Sequence, residues 1–234
     1  MLKYIIIYII FVFNIIKITY NITFTNFFIN FFNLKIKVIG KENLKNYKKL
    51  KLIIMSNHMN GIDYPIIVHT INYYTNKNKK IYTIVKHDLF GSEVDNNIIS
   101  NILSLFKDNI YNKLNFLSYE RGNKNSGEKI KKQILKTINN GHNILLFPEG
   151  ECSRTGIPNN FKPGVFKLCS ENDIWILPIT LKFNKNIGVN KNDAIDINKW
   201  FNVTATIYIH KPIFNKNWEI LKNNVFHIIR KPIK

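Results

Sequence analysis

Asn57, His58 and Asp63 are the residues whose types and spacing best suit chemistry. An imidazole whose tautomer is fixed by a carboxylate acts as a general base, and the carboxylate stabilises the imidazolium that forms. The stretch reads Ser56-Asn57-His58-Met59-Asn60-Gly61-Ile62-Asp63 and follows the apolar run Leu52-Ile53-Ile54-Met55. That run is short, rich in β-branched residues and bounded by Ser-Asn, so it predicts a buried strand with His58 at its end. Gly61 permits a tight turn that returns Asp63 toward His58. The competing reading is a structural histidine beside a turn, in a chain so rich in Asn that the spacing has an appreciable chance frequency.

Three further predicted strands carry polar or turn-forming residues. Phe116–Tyr119 runs into Glu120-Arg121-Gly122. Asn143–Phe147 runs into Pro148-Glu149-Gly150-Glu151-Cys152-Ser153-Arg154. Ile174–Leu181 contains Pro178, which predicts an edge strand or a bulge. In an α/β sheet the C-terminal strand ends gather at one rim, where sites form. On these residues the chain resembles the glycerolipid acyltransferase family, which includes the 1-acylglycerol-3-phosphate acyltransferases and carries an Asn-His-x4-Asp motif. Asn57, His58 and Asp63 match that first block. Phe147-Pro148-Glu149-Gly150, with Ser153-Arg154 and Phe161-Lys162-x-Gly164 downstream, match the third. Ile176-Leu177-Pro178-Ile179 fits the fourth. The second block is looser: Arg121 falls at the acceptor-binding arginine, Glu120 replaces the usual Asp, and Asn115 stands where Gly is common.

The resemblance implies acyl transfer from acyl-CoA to a hydroxyl of a glycerolipid, with His58 as general base and Asp63 orienting it. It further implies that Asn57, Arg121, Glu149, Gly150, Arg154, Lys162 and Pro178 bind substrate. A guanidinium such as Arg121 offers a planar fork for phosphate. The thioester is already activated, so no metal, cofactor or covalent intermediate is required beyond acyl-CoA as co-substrate. Backbone amides near the His58 turn or Gly150 are the expected oxyanion donors. The chain departs from the family at Glu151-Cys152, where many relatives have Thr-Arg. A carboxylate replaces a hydroxyl and a positive charge is lost. The acceptor is therefore lysophosphatidate, glycerophosphate or a lysophospholipid with a larger head group. Cys152, with no histidine beside it in sequence, reads as incidental rather than nucleophilic.

The elements that must position these residues alternate between strands and helices. Beyond the strands above, Leu34–Ile39, Ile81–Val85 and Val203–Ile209 read as strands. The helices are predicted after Pro65, over Val94–Phe106, from a Ser126 cap through Ile130, Ile134, Leu135 and Ile138, from Gly164, and over Asn215–Arg230. The fold class that follows is α/β, a mixed, mostly parallel sheet flanked by helices. At 234 residues and 45% hydrophobic content, one globular domain over 35–234 is expected. Residues 1–34 differ: between Leu2 and Phe32 the only charges are Lys3 and Lys17, which predicts a membrane-attaching segment that spans the bilayer or lies in it. Lys35, Lys37, Lys41 and Lys45 follow it and would hold the main domain on the cytosolic side, with the endoplasmic reticulum a candidate membrane. A buried core helix is the alternative reading of this segment.

The formal charge of +19, from 34 basic and 15 acidic residues, favours anionic partners such as a lipid surface. The lysines are scattered rather than gathered in one arm, so no nucleic-acid partner is expected. Two cysteines imply no disulfide framework, and no Cys/His set has zinc spacing. A second reading keeps the fold but not the chemistry: a non-catalytic basic protein that binds membranes or polyanions.

Overall fold

The computed structural model describes residues 21–45, 47, 49–76, 79–86, 107–120, 124–188 and 197–233. The first twenty residues of the apolar segment, the predicted helix over 94–106 and Arg121 lie outside the described residues.

The described elements are α1 (Asn21–Phe31), β1 (Lys35–Ile39), β2 (Leu52–Ser56), α2 (Asp63–Thr75), β3 (Ile81–Lys86), α3 (Lys107–Leu114), β4 (Phe116–Tyr119), α4 (Lys124–Asn139), β5 (Asn143–Leu146), α5 (Gly164–Glu171), β6 (Trp175–Phe183), β7 (Thr204–Ile209) and α6 (Trp218–Arg230). The strands form a seven-stranded sheet in the order β1-β7-β6-β2-β5-β3-β4. All described pairings are parallel except β6 with β7. The architecture is the expected α/β one, a mixed, mostly parallel sheet covered by helices.

Strand β2 is central, and all five of its residues are buried. Its side chains alternate between two apolar layers. Leu52 and Ile54 join Phe28, Phe32, Ile66, Ile67 and Trp200 on the face covered by α1 and α2. Ile53 and Met55 join Ile130, Ile134, Phe166, Leu221 and Val225 on the face covered by α4, α5 and α6. Burial on both sides explains why β2 reads as a continuous apolar run rather than an alternating one. In α4, Ile130, Ile134 and Ile138 recur every four residues and give the helix one buried stripe. In α6, Asn217 caps the helix by accepting from the Glu219 and Ile220 amides at 2.9 and 3.2 Å.

Three local expectations are refined. Pro178 lies inside β6, between β2 and β7, and not at an edge. Its carbonyl accepts from the His210 amide just past the end of β7, so its missing donor faces the same way. The next bridge down joins Ile176 to Ile213. The neighbouring chain therefore carries one extra residue at this level, a bulge where no ladder donor is needed from Pro178. Second, Ser126 does not cap its helix; it sits within the first turn, and its Oγ accepts from the Glu120 amide at 2.9 Å. Third, the end of the apolar N-terminal segment packs on the domain. Phe28 and Phe32 of that segment are buried, with ring centroids 5.9 and 5.3 Å from Trp200. No described helix is long and apolar enough to cross a membrane.

Candidate active site

His58 sits two residues past the end of β2, at the rim where the parallel strands β2 and β5 both terminate. Its Nδ1 is 2.9 Å from Asp63 Oδ2. The same oxygen accepts from the Met59 and Asn60 amides at 2.5 and 3.0 Å. Asp63 is fully buried as the first residue of α2, and its Oδ1 has no hydrogen-bond partner among the described residues. Three donors on one oxygen fix the carboxylate in place and set the imidazole with its proton on Nδ1. Nε2 is then the basic atom, directed toward whatever enters the site.

The turn that joins the pair is made by Asn60. Its Oδ1 accepts from the Ile62 amide at 2.9 Å, and its carbonyl accepts from the Asp63 amide at 3.3 Å. That is an Asx turn, in which the side chain imitates a backbone turn. Gly61 was expected to supply the turn through its conformational freedom, but its φ is not in the left-handed region. A Cβ at Gly61 would meet the Trp200 ring at 3.5 Å, an ordinary contact. Gly61→Ala is therefore expected to shift the unfolding midpoint by no more than a few degrees, from a change of about 0.5–1 kcal/mol. A differential scan of the variant checks this.

The loop after β5 wraps the His58 backbone at both ends. Glu149 Oε1 accepts from the His58 amide at 2.7 Å, and Glu149 Oε2 accepts from the Asn159 amide at 2.6 Å. The Ser153 amide donates to the His58 carbonyl at 2.7 Å. Phe147 stacks on the imidazole at 4.1 Å between centroids and 15° between planes. The ring is thus fixed by Asp63 along its edge and by Phe147 on one face. Burial pushes the Glu149 carboxyl up to about 7, against the two amide donors that pull it down. For His58, burial disfavours the imidazolium. The hydrogen bond and charge of Asp63, joined by a hydrogen bond to Cys152, outweigh that and raise the pKa to about 10.

Gly150 turns with φ 74, and a Cβ there would lie 2.6 Å from Lys162 Nζ. The lysine stem covers the glycine, and the Lys162 amide donates to the Pro148 carbonyl at 2.9 Å. Here the positive φ favours glycine, while the close approach is to the flexible end of the lysine, which can move aside. Arg154 is exposed on the same loop. Asn57, expected at the substrate, is buried, and its amide is paired with Leu181. Nδ2 donates to the Leu181 carbonyl at 2.9 Å, and Oδ1 accepts from the Leu181 amide at 2.8 Å. It extends the β2–β6 ladder by one side-chain rung and fixes the strand end from which His58 projects. Pro178 lies level with Met55 inside the sheet, so it shapes β6 rather than the rim. Asn115 takes φ 55, a left-handed turn that Asn adopts more readily than most side chains.

The amides expected to stabilise an oxyanion have other partners. Those of His58, Met59 and Asn60 donate to Glu149 and Asp63, and that of Gly150 donates to the Phe147 carbonyl at 3.0 Å. Cys152, read from the sequence as incidental, precedes Ser153 on the loop that clasps the His58 backbone.

Among the described residues no cluster of three or more His, Cys, Asp or Glu could hold a metal ion. The acyltransferase family profile matches residues 35–182. The chain is 29% identical over 203 residues to a 1-acyl-sn-glycerol-3-phosphate acyltransferase of Borreliella burgdorferi, covering 86% of this chain and 70% of that one. A chloroplastic 1-acyl-sn-glycerol-3-phosphate acyltransferase of Arabidopsis thaliana is 28% identical over 92 residues, covering 39% of this chain and 25% of its own length. The crystal structure of the 1-acyl-sn-glycerophosphate acyltransferase PlsC from Thermotoga maritima shares the fold, with a TM-score of 0.61 at 18% identity over 91% of this chain and 76% of that one. The matched span runs from β1 into β6 and contains His58, Asp63 and the loop that clasps them, and the chain belongs to the acyltransferase family.

Proposed function

We propose that this chain is a glycerolipid O-acyltransferase of phospholipid synthesis or remodelling. It moves a fatty acyl group from acyl-CoA to a hydroxyl of a 1-acylglycerol-3-phosphate or a related lysophospholipid. The observation that carries the reading is the His58–Asp63 hydrogen bond of 2.9 Å at the open rim of the sheet, in a chain whose bacterial relative bears that activity's name. A hydroxyl is a poor nucleophile at neutral pH and needs a base as its proton leaves. His58 Nε2 takes that proton, and Asp63 stabilises the resulting imidazolium. Attack on the thioester carbonyl then expels a thiolate, which takes the proton from His58 and leaves as the thiol. A thioester on a carrier protein presents the same bond as acyl-CoA.

Lys162 supplies positive charge beside Gly150 for an anionic acceptor head group, with Arg154 and Arg121 as further cations for it. Glu151 is exposed where relatives carry a hydroxyl, and it disfavours a bare phosphate monoester through like-charge repulsion. The apolar segment over 1–34 attaches the domain to a membrane, the natural location of both lipid substrates, with the catalytic domain on its cytosolic side.

The charge of +19 favours a second reading, a non-catalytic protein that binds anionic membranes. An acceptor panel separates the two. Detergent-purified protein is supplied with labelled oleoyl-CoA and, in parallel, glycerol 3-phosphate, lysophosphatidate and lysophospholipids with larger head groups. The proposal expects one acceptor class to give a diacyl product. No product with any acceptor, together with salt-sensitive binding to anionic vesicles, would favour the second reading. Release of free fatty acid without an acceptor would point instead to a hydrolase.

A further inference from the structure

The connection from β6 to β7 leaves the sheet at the same rim as His58, because β6 runs parallel to β2. Its described ends, 184–188 and 197–203, lie beyond the span that matches the acyltransferase profile. Both ends press on the site. From the first, the Ile187 carbonyl accepts from Asn60 Nδ2 at 2.5 Å. A Cβ on the next residue, Gly188, would lie 3.1 Å from the Ser153 carbonyl oxygen, so the same strip also rests against the loop that clasps His58. From the second, the Trp200 ring lies against Gly61. Asn60 itself is buried, and each of its four polar groups has a partner. Its backbone amide donates to Asp63 Oδ2 at 3.0 Å, and its backbone carbonyl accepts from the Asp63 amide at 3.3 Å. Its Oδ1 accepts from the Ile62 amide at 2.9 Å and shapes the turn, while Nδ2 reaches out of the turn to Ile187. One side-chain partner is a donor and the other an acceptor, which fixes the way the amide faces. The side chain braces the turn that carries the pair against a segment 127 residues along the chain.

We propose that Asn60 is a positioning residue, which sets the His58–Asp63 pair by tying the turn between them to the β6–β7 connection. This rests on the acyl-transfer reading above for the reaction it serves. Asp63 orients His58 through an oxygen that the Met59 and Asn60 amides hold in line with Nδ1. Those two amides belong to the turn, so the pair is only as well placed as the turn is. Without the tether the turn is free to shift, and the buried Ile187 carbonyl loses its donor. The other restraints on His58, the stacked Phe147 and the Glu149 carboxylate, act on the ring face and on the backbone amide, and neither sets the distance to Asp63. The titratable groups that act on the ring charge are Asp63 from α2, and Glu149 and Cys152 from the loop after β5. Substitutions at Asn60 leave all three in the chain.

The test uses the full chain in detergent, as wild type, Asn60→Ala and Asn60→Ser, each with a thermal scan. Alanine removes both side-chain bonds. Serine can still accept from the Ile62 amide, as hydroxyls do in such turns, but it is too short to reach Ile187. Well below the unfolding midpoint, kcat and KM are measured across pH with labelled oleoyl-CoA and the acceptor identified by the panel. Independently of activity, labelled histidine rings are titrated by NMR, with His58→Ala assigning the resonance. The proposal expects kcat to fall about 10²-fold in Asn60→Ala, the scale of a misplacement of about 1 Å, with KM for both substrates within about twofold. Asn60→Ser falls between the two. In both variants His58 titrates about one pH unit lower, because Asp63 supports the imidazolium less well, and the limb of kcat/KM moves the same way. A midpoint that drops while kcat and the His58 titration stay at wild-type values would make Asn60 merely structural and overturn the proposal. An Asn60→Ser enzyme identical to wild type would overturn it as well, since the tether to Ile187 would then carry nothing. If the wild type makes no product with any acceptor, the acyl-transfer reading falls, and the histidine titration alone decides whether Asn60 sets the pair.

Discussion

Replacing His58 with Ala is expected to lower kcat/KM for acyl transfer by about 10²–10⁴-fold, the scale of a positioned general base. The ring is held by an oriented hydrogen bond to Asp63 and by the stacked Phe147, and it contributes little to the apolar layers on either side of the sheet. Its backbone amide and carbonyl, not its side chain, make the contacts with Glu149 and Ser153, and these survive the substitution. The unfolding midpoint should therefore move far less than the rate. Initial rates with labelled oleoyl-CoA, set beside a thermal scan, check both halves. A variant that unfolds normally and transfers at the wild-type rate would remove His58 from the mechanism.

Glu149→Gln is expected to be the most damaging change away from the reacting atoms. Both carboxylate oxygens accept from backbone amides, those of His58 and Asn159. A glutamine has one acceptor, so its NH2 must face one of the two N–H groups. The site is buried, and leaving a donor unsatisfied there costs about 1–3 kcal/mol. In a domain of this size that lowers the unfolding midpoint by roughly 2–4 °C for each kcal/mol. The effect on rate is larger, because the amide released is the one that anchors His58. A misplacement of about 1 Å costs on the order of 10²-fold. The expected signature is a kcat loss near that scale with a smaller change in KM. An unaltered kcat would mean that Glu149 does not position the base.

The sheet and the pair His58–Asp63 were legible in the sequence because both are encoded locally. A continuous β-branched run marks a strand buried on two faces, and only four residues lie between the histidine and its acid. Contacts made across the sheet were not legible. Asn57 reaches Leu181 through the β2–β6 pairing, so nothing near Asn57 reveals where its amide goes. Pro178 implied an edge or a bulge because a proline cannot donate, and the bulge that decides between them lies in a different part of the chain, between His210 and Ile213. Gly61 invited a turn assignment that Asn60 fills with its side chain. The apolar residues near Phe28 and Phe32 suited a membrane by composition alone, while their packing on Trp200 depends on a residue far along the chain.

The most direct test of the central claim is the pH dependence of kcat/KM in the wild type and in Asp63→Asn. Asparagine suits this test because the three donors converge on Oδ2 while Oδ1 has no partner among the described residues. The amide oxygen can take the Oδ2 place and the NH2 the other, so the loop is retained and only the charge is lost. A base works in its neutral form, and Asp63 helps raise the His58 pKa to about 10. The wild-type rate should therefore climb with pH through the neutral and alkaline range and level off near pH 10. In Asp63→Asn the histidine loses the group that stabilises its imidazolium, so the limb should level off at lower pH and at a lower plateau. Two profiles with the same inflection and the same plateau would contradict His58 as a base oriented and charged by Asp63.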